Sequence, residues 1–206
     1  MNVLLINGSP HEKGCTYTAL SLIAGELNAA GIETEILNVG TKPVGGCIGC
    51  GGCRSGNGCV FGGVVNEAIE KAKTADAFVF GSPVHYASAA GNMASFMDRL
   101  AYAGGKYLAY KPAAVCCSAR RAGTTSTLDQ LVKYPQFFHM PLVNGSYWAM
   151  VHGSNPEQVL QDAEGCAVMQ ELGRNMAWLL RCIEAGKAAG IDHPQNPPRP
   201  MTNFIR

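Results

Sequence analysis

The chain alternates between short apolar runs and amphipathic stretches. "NVLLIN" (2–7) is a continuous apolar run that closes in "GSP", the pattern of a buried parallel strand leading into a turn. From Thr16 to Ala30, Leu20, Ile23 and Leu27 recur at helical spacing, and the pattern stops at Gly31. "ETEILNV" (33–39) alternates as a strand does, and "VVNEAIEKAKTA" (64–75) resumes as a helix. "DAFVFGSP" (76–83) repeats the strand and turn, with the helix "GNMASFMDRLAY" (91–102) behind it. "KPAAVCCSARRAGTT" (111–125) repeats the arrangement a third time: a buried strand, a loop, then a helix from about Thr125 to Tyr134. "MPLVNGSYW" (140–148) supplies a fifth strand, and one amphipathic stretch from Pro156 to about Ala189 makes the longest helix.

Strands alternating with helices predict an α/β fold, a parallel sheet with helices on both faces. Five strands and short loops favour the flavodoxin-like doubly wound order 2-1-3-4-5. At 206 residues the chain holds one domain with a substantial core, read here as residues 1–192. Between Gly40 and Gly63 periodicity vanishes into glycine and cysteine, the mark of an inserted functional loop. The tail, 193–206, is too proline-rich for a helix or central strand and is expected to run extended over the surface or a neighbouring subunit. A hydrophobic content of 47%, a charged content of 15% and a net charge of +1 carry no nucleic-acid or anionic-membrane signal. No run is apolar enough to span a bilayer and the start lacks the features of a secretory signal, so the expected location is the cytoplasm.

In an open parallel sheet the ligand lies beyond the carboxyl ends of the strands. Three loops are expected to meet there: "NGSPHEKGCT", "GSPVHYASAAGN" and "SARRAGTT". The first suits a phosphate. Gly8 and Gly14 allow close backbone approach, Ser9 and Thr16 add hydroxyls, and the amides opening the next helix point into the loop. It is neither GxGxxG nor GxxxxGK[ST], which argues against an ordinary dinucleotide fold and a P-loop nucleotidase.

"NGSPHEKGCT", "GSPVHYASAAGNMASFMDR" and "SARRAGTTSTLDQL", in that order and spacing, resemble the NADPH-dependent FMN reductase family of flavodoxin-like proteins. The resemblance covers most of residues 1 to 155. It implies FMN, with its phosphate on Ser9, Gly14, Cys15 and Thr16 and its isoalloxazine ring against Pro83, Val84, His85 and Tyr86. Where family members often carry asparagine, this chain has Cys15. Ser118, Gly123, Thr124 and Thr125 resemble the contacts to the flavin edge, where hydrogen-bond donors stabilise the anionic reduced ring. Arg120 or Arg121 is a candidate for the 2'-phosphate of NADPH, beside its plain reading as a solvated loop charge.

Nine cysteines cannot all pair internally, and a reducing compartment keeps most of them free. Cys15, Cys116, Cys117, Cys166 and Cys182 are scattered; Cys116, Cys117 and Cys182 lie in apolar patterns and read as small core residues. The other four, Cys47, Cys50, Cys53 and Cys59, are spaced C-x2-C-x2-C-x5-C. Structural zinc usually takes two separated pairs, whereas cysteines at successive intervals of three wrap one face of a larger object. A 4Fe-4S cluster is the natural occupant; zinc, or free or oxidised thiols, remain the alternatives. The segment also resembles the compact cysteine motif of iron-sulfur flavoproteins, which implies electron passage between cluster and FMN and dimers in which one subunit's cluster approaches another's flavin. Downstream, "SARRAGTTSTLDQL" and "YWAMVHG" look more like plain reductase relatives.

The expected activity is therefore an FMN-dependent oxidoreductase that accepts a hydride from NAD(P)H and passes electrons to a small-molecule or protein acceptor. Its rivals are an iron-sulfur electron carrier with ferredoxin-like partners and a zinc-binding scaffold without redox activity. No side chain is nominated as a catalytic acid or base, and Asp98 and Arg99 read as an ion pair or a helix surface. An open apolar face at the flavin loop and the unplaced tail point to a homodimer or homotetramer.

Overall fold

A computed structural model of the chain describes residues 1–198 and 200–202; residues 199 and 203–206 of the expected tail lie outside the described residues. Asn2–Asn7 (β1), Glu33–Asn38 (β2), Ala77–His85 (β3), Ala113–Ala119 (β5) and Met150–His152 (β6) form a parallel sheet in the order β2-β1-β3-β5-β6. A sixth, two-residue strand, Ser88–Ala89 (β4), folds back antiparallel on the end of β3. Apart from that hairpin, this is the doubly wound order expected from the alternation of elements.

Side chains of consecutive strand residues point to opposite faces, so the central strands feed two cores. Val3, Leu5, Ala77, Val79, Ala114 and Cys116 face the helices Cys15–Ala29 (α1) and Ala163–Ala188 (α6), meeting Leu20, Ile23, Leu172 and Met176. Leu4, Ile6, Phe78 and Phe80 face Val64–Thr74 (α2), Gly91–Gly104 (α3) and Thr124–Phe137 (α4), meeting Val65, Ile69, Phe96, Leu100 and Leu131. Phe78 and Phe80 stack with ring centroids 5.9 Å apart. Each such side chain, fully buried, contributes about 1.5–3 kcal/mol.

The C-terminal half departs from the sequence pattern in four places. Residues 140–148 do not form the fifth strand: only Leu142 bridges to Ala113, and the paired strand is β6. The intervening backbone is drawn off the sheet edge by α6, whose Glu171 accepts from the Ser146 amide (2.8 Å) and whose Asn175 donates to the Asn144 carbonyl (2.8 Å). A cavity of about 370 Å³ opens there between Val115, Leu128, Val132 and Trp148. The long C-terminal helix is two, Pro156–Val159 (α5) and α6, because Asp162 caps α6 through the Gly165 amide (3.0 Å) while its other oxygen accepts from the His152 amide (2.8 Å). Helix α4 continues through Pro135 to Phe137, and the amides of Phe138 and Met140 turn back onto the Pro135 carbonyl. Cys182 is exposed on α6 rather than a core residue. Cys116 and Cys117 are buried as expected; burial pushes both thiols up, Cys117 to about 12, so they stay protonated and inert.

Gly173 lets α6 lie against α1: a Cβ there would sit 2.7 Å from the Ile23 carbonyl oxygen and 2.8 Å from the Glu26 Cβ. At Gly186, on the same helix, the nearest atoms to such a Cβ are 3.9 Å away. Gly173→Ala is accordingly expected to destabilise the chain by about 1–3 kcal/mol, while Gly186→Ala stabilises it by up to about 1 kcal/mol through helix propensity. Urea denaturation midpoints of the two variants check the opposite signs.

Candidate functional site

Strands β1, β3, β5 and β6 end at one edge, and the loops that leave them interlock. The first loop is organised by Asn7, which is fully buried at the end of β1. Its amide nitrogen donates to the Asn38 side-chain oxygen (2.8 Å) and to the carbonyls of Glu12 (3.2 Å) and His11 (3.4 Å), and its oxygen accepts from the Ser9 amide (3.1 Å). Ser9 in turn accepts from the His11 amide (3.0 Å). Gly8 runs so close to α3 that a Cβ would meet Met93 at 2.7 Å. The loop is thereby held from both sides as a rigid collar before α1.

The second loop is a hairpin. Pro83 and Val84 are half-buried, His85 and Tyr86 are exposed, and Pro83 pairs in register with Ser118 of β5. Tyr86 and Ala87 form the two-residue tip with φ of 51° and 58°. A turn with both central residues left-handed matches strand twist but normally uses asparagine or glycine, so each residue stores roughly 1–3 kcal/mol of strain. Gln130 of α4 holds the hairpin, accepting from the Ser88 hydroxyl (2.6 Å) and the Ala89 amide (2.8 Å), and Ser126 donates to the Ala87 carbonyl (2.8 Å). The strained tip therefore presents the whole Tyr86 side chain to solvent.

In the third loop Ser118 and Thr16 are buried and share a hydroxyl hydrogen bond of 2.8 Å, which ties the end of β5 to the first turn of α1. The pair braces the site from beneath, and since only one hydroxyl donates in the shared bond, the other keeps a proton to give. Gly123 (φ 95°) packs against the hairpin, where a Cβ would sit 2.7 Å from the Ala87 Cα. Arg120 and Arg121 are exposed, and the Arg121 carbonyl lies 3.2 Å from Nε2 of His152. The Cys15 thiol points to the Gly153 carbonyl (3.6 Å) beyond β6, and burial pushes it up, leaving only its backbone for a ligand in the first loop.

Helices α1, α3 and α4 open at this edge without a side-chain cap, and no carboxylate stands in their first turns. Asn155 and Asp162, by contrast, cap α5 and α6. Uncapped helix N-termini carry amide donors and a partial positive charge, the chemistry that takes phosphate or the carbonyl edge of a heterocycle.

The cysteine loop lies along α3. Asn92, in the first turn of α3, accepts from the Val44 amide (3.1 Å) and donates to the carbonyls of Lys42 (3.1 Å) and Gly40 (3.3 Å). Asn66 of α2 clamps the backbone of Cys59 in both directions, at 2.8 and 3.0 Å. Between these anchors, left-handed Gly51 and Gly56 bracket a single 3-10 turn, Gly52–Ser55, that carries Cys53. All four thiols line one cavity of about 690 Å³, together with Asp98, Arg99 and Tyr102. Among the described residues, no three cysteine, histidine or carboxylate side chains converge as a single metal ion requires.

Arg99 is not at the helix surface, nor is it in an ion pair with Asp98. It is buried; Nε donates to the Cys59 sulfur (3.2 Å), and the Nη atoms donate to the carbonyls of Gly62 (3.1 Å) and Gly45 (3.4 Å). Its guanidinium lies over the Phe61 ring at 5.3 Å. Asp98 instead accepts from the Tyr134 hydroxyl (2.6 Å).

Residues 1–155 match the family described as NADPH-dependent FMN reductase. The chain belongs to that family. Membership makes it a flavin-dependent oxidoreductase. An iron-sulfur flavoprotein of Methanocaldococcus jannaschii is 28% identical over 192 residues, spanning 89% of this chain and 100% of the relative. Another, of Methanosarcina thermophila, is 23% identical over 196 residues, 91% of this chain and 99% of the relative. Among solved structures, an NAD(P)H:quinone oxidoreductase from Methanothermobacter marburgensis superposes with a TM-score of 0.64 at 16% identity, over 85% of this chain and 98% of that one. An archaeal flavodoxin superposes with a TM-score of 0.59 at 13% identity, over 88% and 99%. The likenesses establish the fold as flavodoxin-like.

Asn7, Asn92 and Gln130 escaped the sequence reading, and Arg99 was given the wrong role in it. Two of them left a signal: Asn7 is a polar residue closing an apolar strand, and Arg99 stands three residues after Phe96 in the apolar stripe of α3. Asn7→Ala is expected to cost about 2–3 kcal/mol, because it removes the loop's shared partner and strands buried polar groups. The exposed Asn57→Ala is expected to stay within about 0.5 kcal/mol of the parent. Thermal unfolding of both checks this.

Proposed function

We propose that this chain is an FMN-dependent oxidoreductase that takes a hydride from NAD(P)H and delivers electrons, by way of a 4Fe-4S cluster in its cysteine loop, to a small-molecule or ferredoxin-like protein acceptor. The observation that carries the reading is the convergence of three uncapped, carboxylate-free helix N-termini at one sheet edge beneath an exposed tyrosine. That donor set fits a phosphorylated, carbonyl-edged ring.

In this reading the phosphate is held by Ser9 and the backbone of Gly14, Cys15 and Thr16. Thr16 and Ser118 keep the first and third loops at a fixed spacing through their shared hydrogen bond. Pro83, Val84, His85 and Tyr86 form the apolar wall for the ring. Gly123, Thr124 and Thr125, at the uncapped start of α4, turn amide donors toward its polar edge, with Arg120 at the rim. FMN, when bound, supplies hydride acceptance from nicotinamide and release of electrons singly or in pairs.

The cysteine loop supports the second half of the reading. Cys47, Cys50, Cys53 and Cys59 line one wide cavity, and a buried guanidinium without a carboxylate partner among the described residues marks the wall as one built for an anion. Those four thiolates would hold the cluster, which supplies one-electron transfer. Helix α3 joins the two places: Asn92 in its first turn and Arg99 seven residues on are roughly 10 Å apart along the axis.

Ile48, Val60, Phe61 and Tyr102, exposed around the cavity mouth, support assembly as a homodimer or homotetramer. Residues 191–198 run without helix or strand, with His193 stacking on Tyr110 of the same chain at 4.4 Å. No helix among the described residues is long and apolar enough to cross a membrane, which accords with work in the cytoplasm.

Protein purified without oxygen is expected to carry stoichiometric FMN with about four irons and four acid-labile sulfides per chain. Serine at all four clustered positions removes the iron and leaves FMN in place. Absence of FMN overturns the flavin reading; FMN without iron overturns the cluster reading alone. In anaerobic stopped-flow, NADPH is expected to bleach the flavin, whereas reduction by ferredoxin only would move pyridine nucleotide out of the cycle. Arg120→Ala or Arg121→Ala is expected to lower kcat/KM for NADPH about tenfold or more relative to NADH, the order of one lost charge-assisted pair; an unchanged ratio in both variants removes the arginines from cofactor choice.

A further inference from the structure

We infer that Arg99 is the countercharge of the cysteine loop: a positioning residue that orients Cys59 and raises the reduction potential of the 4Fe-4S cluster, which rests on the cluster reading proposed above.

The guanidinium spends all its reach on the insertion. It bonds the Gly45 carbonyl before the first cysteine, and the Cys59 sulfur and Gly62 carbonyl at the far end, while Phe61 covers its face. One side chain on a rigid helix thus clasps both ends of a glycine-rich loop that has one 3-10 turn of its own. The clasp alone does not need a charge. An arginine only 5% exposed has given up most of its hydration, which costs several kcal/mol unless an anion compensates. No carboxylate provides it among the described residues: the adjacent Asp98 is engaged with Tyr134, and the ion pairs present involve other residues. The group this arrangement faces is the Cys59 sulfur, and the anion is the cluster that sulfur would ligate.

Four thiolates outweigh the positive charge of a cluster core, so the assembled group is anionic and gains one further negative charge on one-electron reduction. A fixed positive charge in a low-dielectric wall favours the more negative state. A hydrogen bond to a ligating sulfur acts in the same direction. Arg54, which lines the same cavity but is exposed, is screened by solvent and contributes little.

The test is a potentiometric titration of the anaerobically reconstituted full chain. Dithionite delivers the electrons through mediators, and the cluster's EPR signal and visible absorbance give the midpoint; iron and FMN contents are measured in parallel. Arg99→Gln is expected to destabilise the reduced cluster about tenfold relative to the oxidised one, a midpoint lower by about 59 mV for a one-electron couple, with iron and FMN retained. Arg54→Gln is expected to shift it by less than half of that. A wild-type midpoint in Arg99→Gln with iron intact overturns the inference and leaves the cluster reading standing. Wild-type protein that binds FMN but no iron overturns both. If Arg99→Gln releases its iron, Arg99→Lys decides. Retained iron and an unshifted midpoint support a countercharge, whereas lost iron or a lowered midpoint shows that the fork geometry, not the charge, was required.

Discussion

The structure depends on burying β1, β3 and β5 from both sides. In these strands alternate residues enter different cores, Val3, Leu5 and Val79 with α1 and α6, Leu4, Ile6, Phe78 and Phe80 with α2 and α3. A strand buried on both faces has to satisfy its backbone within the sheet and be covered by helices above and below. Because these strands are parallel, every strand-to-helix loop leaves from the same edge. The site at that edge is a consequence of the core.

What makes the edge useful is how its polar groups are divided. Asn7, Gln130 and the Thr16–Ser118 pair satisfy the loops internally and make them stiff. The amides that open α1, α3 and α4 are left without side-chain acceptors. Stiff loops around unspent donors are preorganised for a ligand that brings its own acceptors, because little conformational entropy remains to be lost on binding. The left-handed Tyr86 and Ala87 fit this division: strain at the hairpin tip is sustained by Gln130, Ser126 and the close packing of Gly123, and the outcome is an aromatic ring held away from the body.

Helix α3 links that edge to the cysteine loop. Its first turn anchors the loop's entry through Asn92, and its second half supplies Arg99 to both of the loop's ends. A loop rich in glycine has high conformational entropy and few side chains to pack. Its order therefore comes from outside, from asparagines of α2 and α3 and from one buried guanidinium. The position of the four thiols is a property of the neighbouring helices more than of the segment that carries them.

The apolar runs and their spacing determined the element order, the parallel sheet and its winding, since period-two and period-3.6 burial are local properties of a chain. They also determined which loops share an edge and that Cys47, Cys50, Cys53 and Cys59 form one group. Only the tertiary structure decided where the fifth strand pairs, because Glu171 and Asn175, distant in sequence, pull residues 144–146 off the sheet edge. It alone broke the last helix at Asp162, whose second oxygen is claimed by His152, and left Cys182 in solvent. It alone placed Thr16 and Ser118 against each other and Arg99 against Cys59. The physical reason is common to all of these. Hydrophobic periodicity records whether a residue is buried, whereas the partner of a buried polar group is chosen by elements folded against it from elsewhere in the chain.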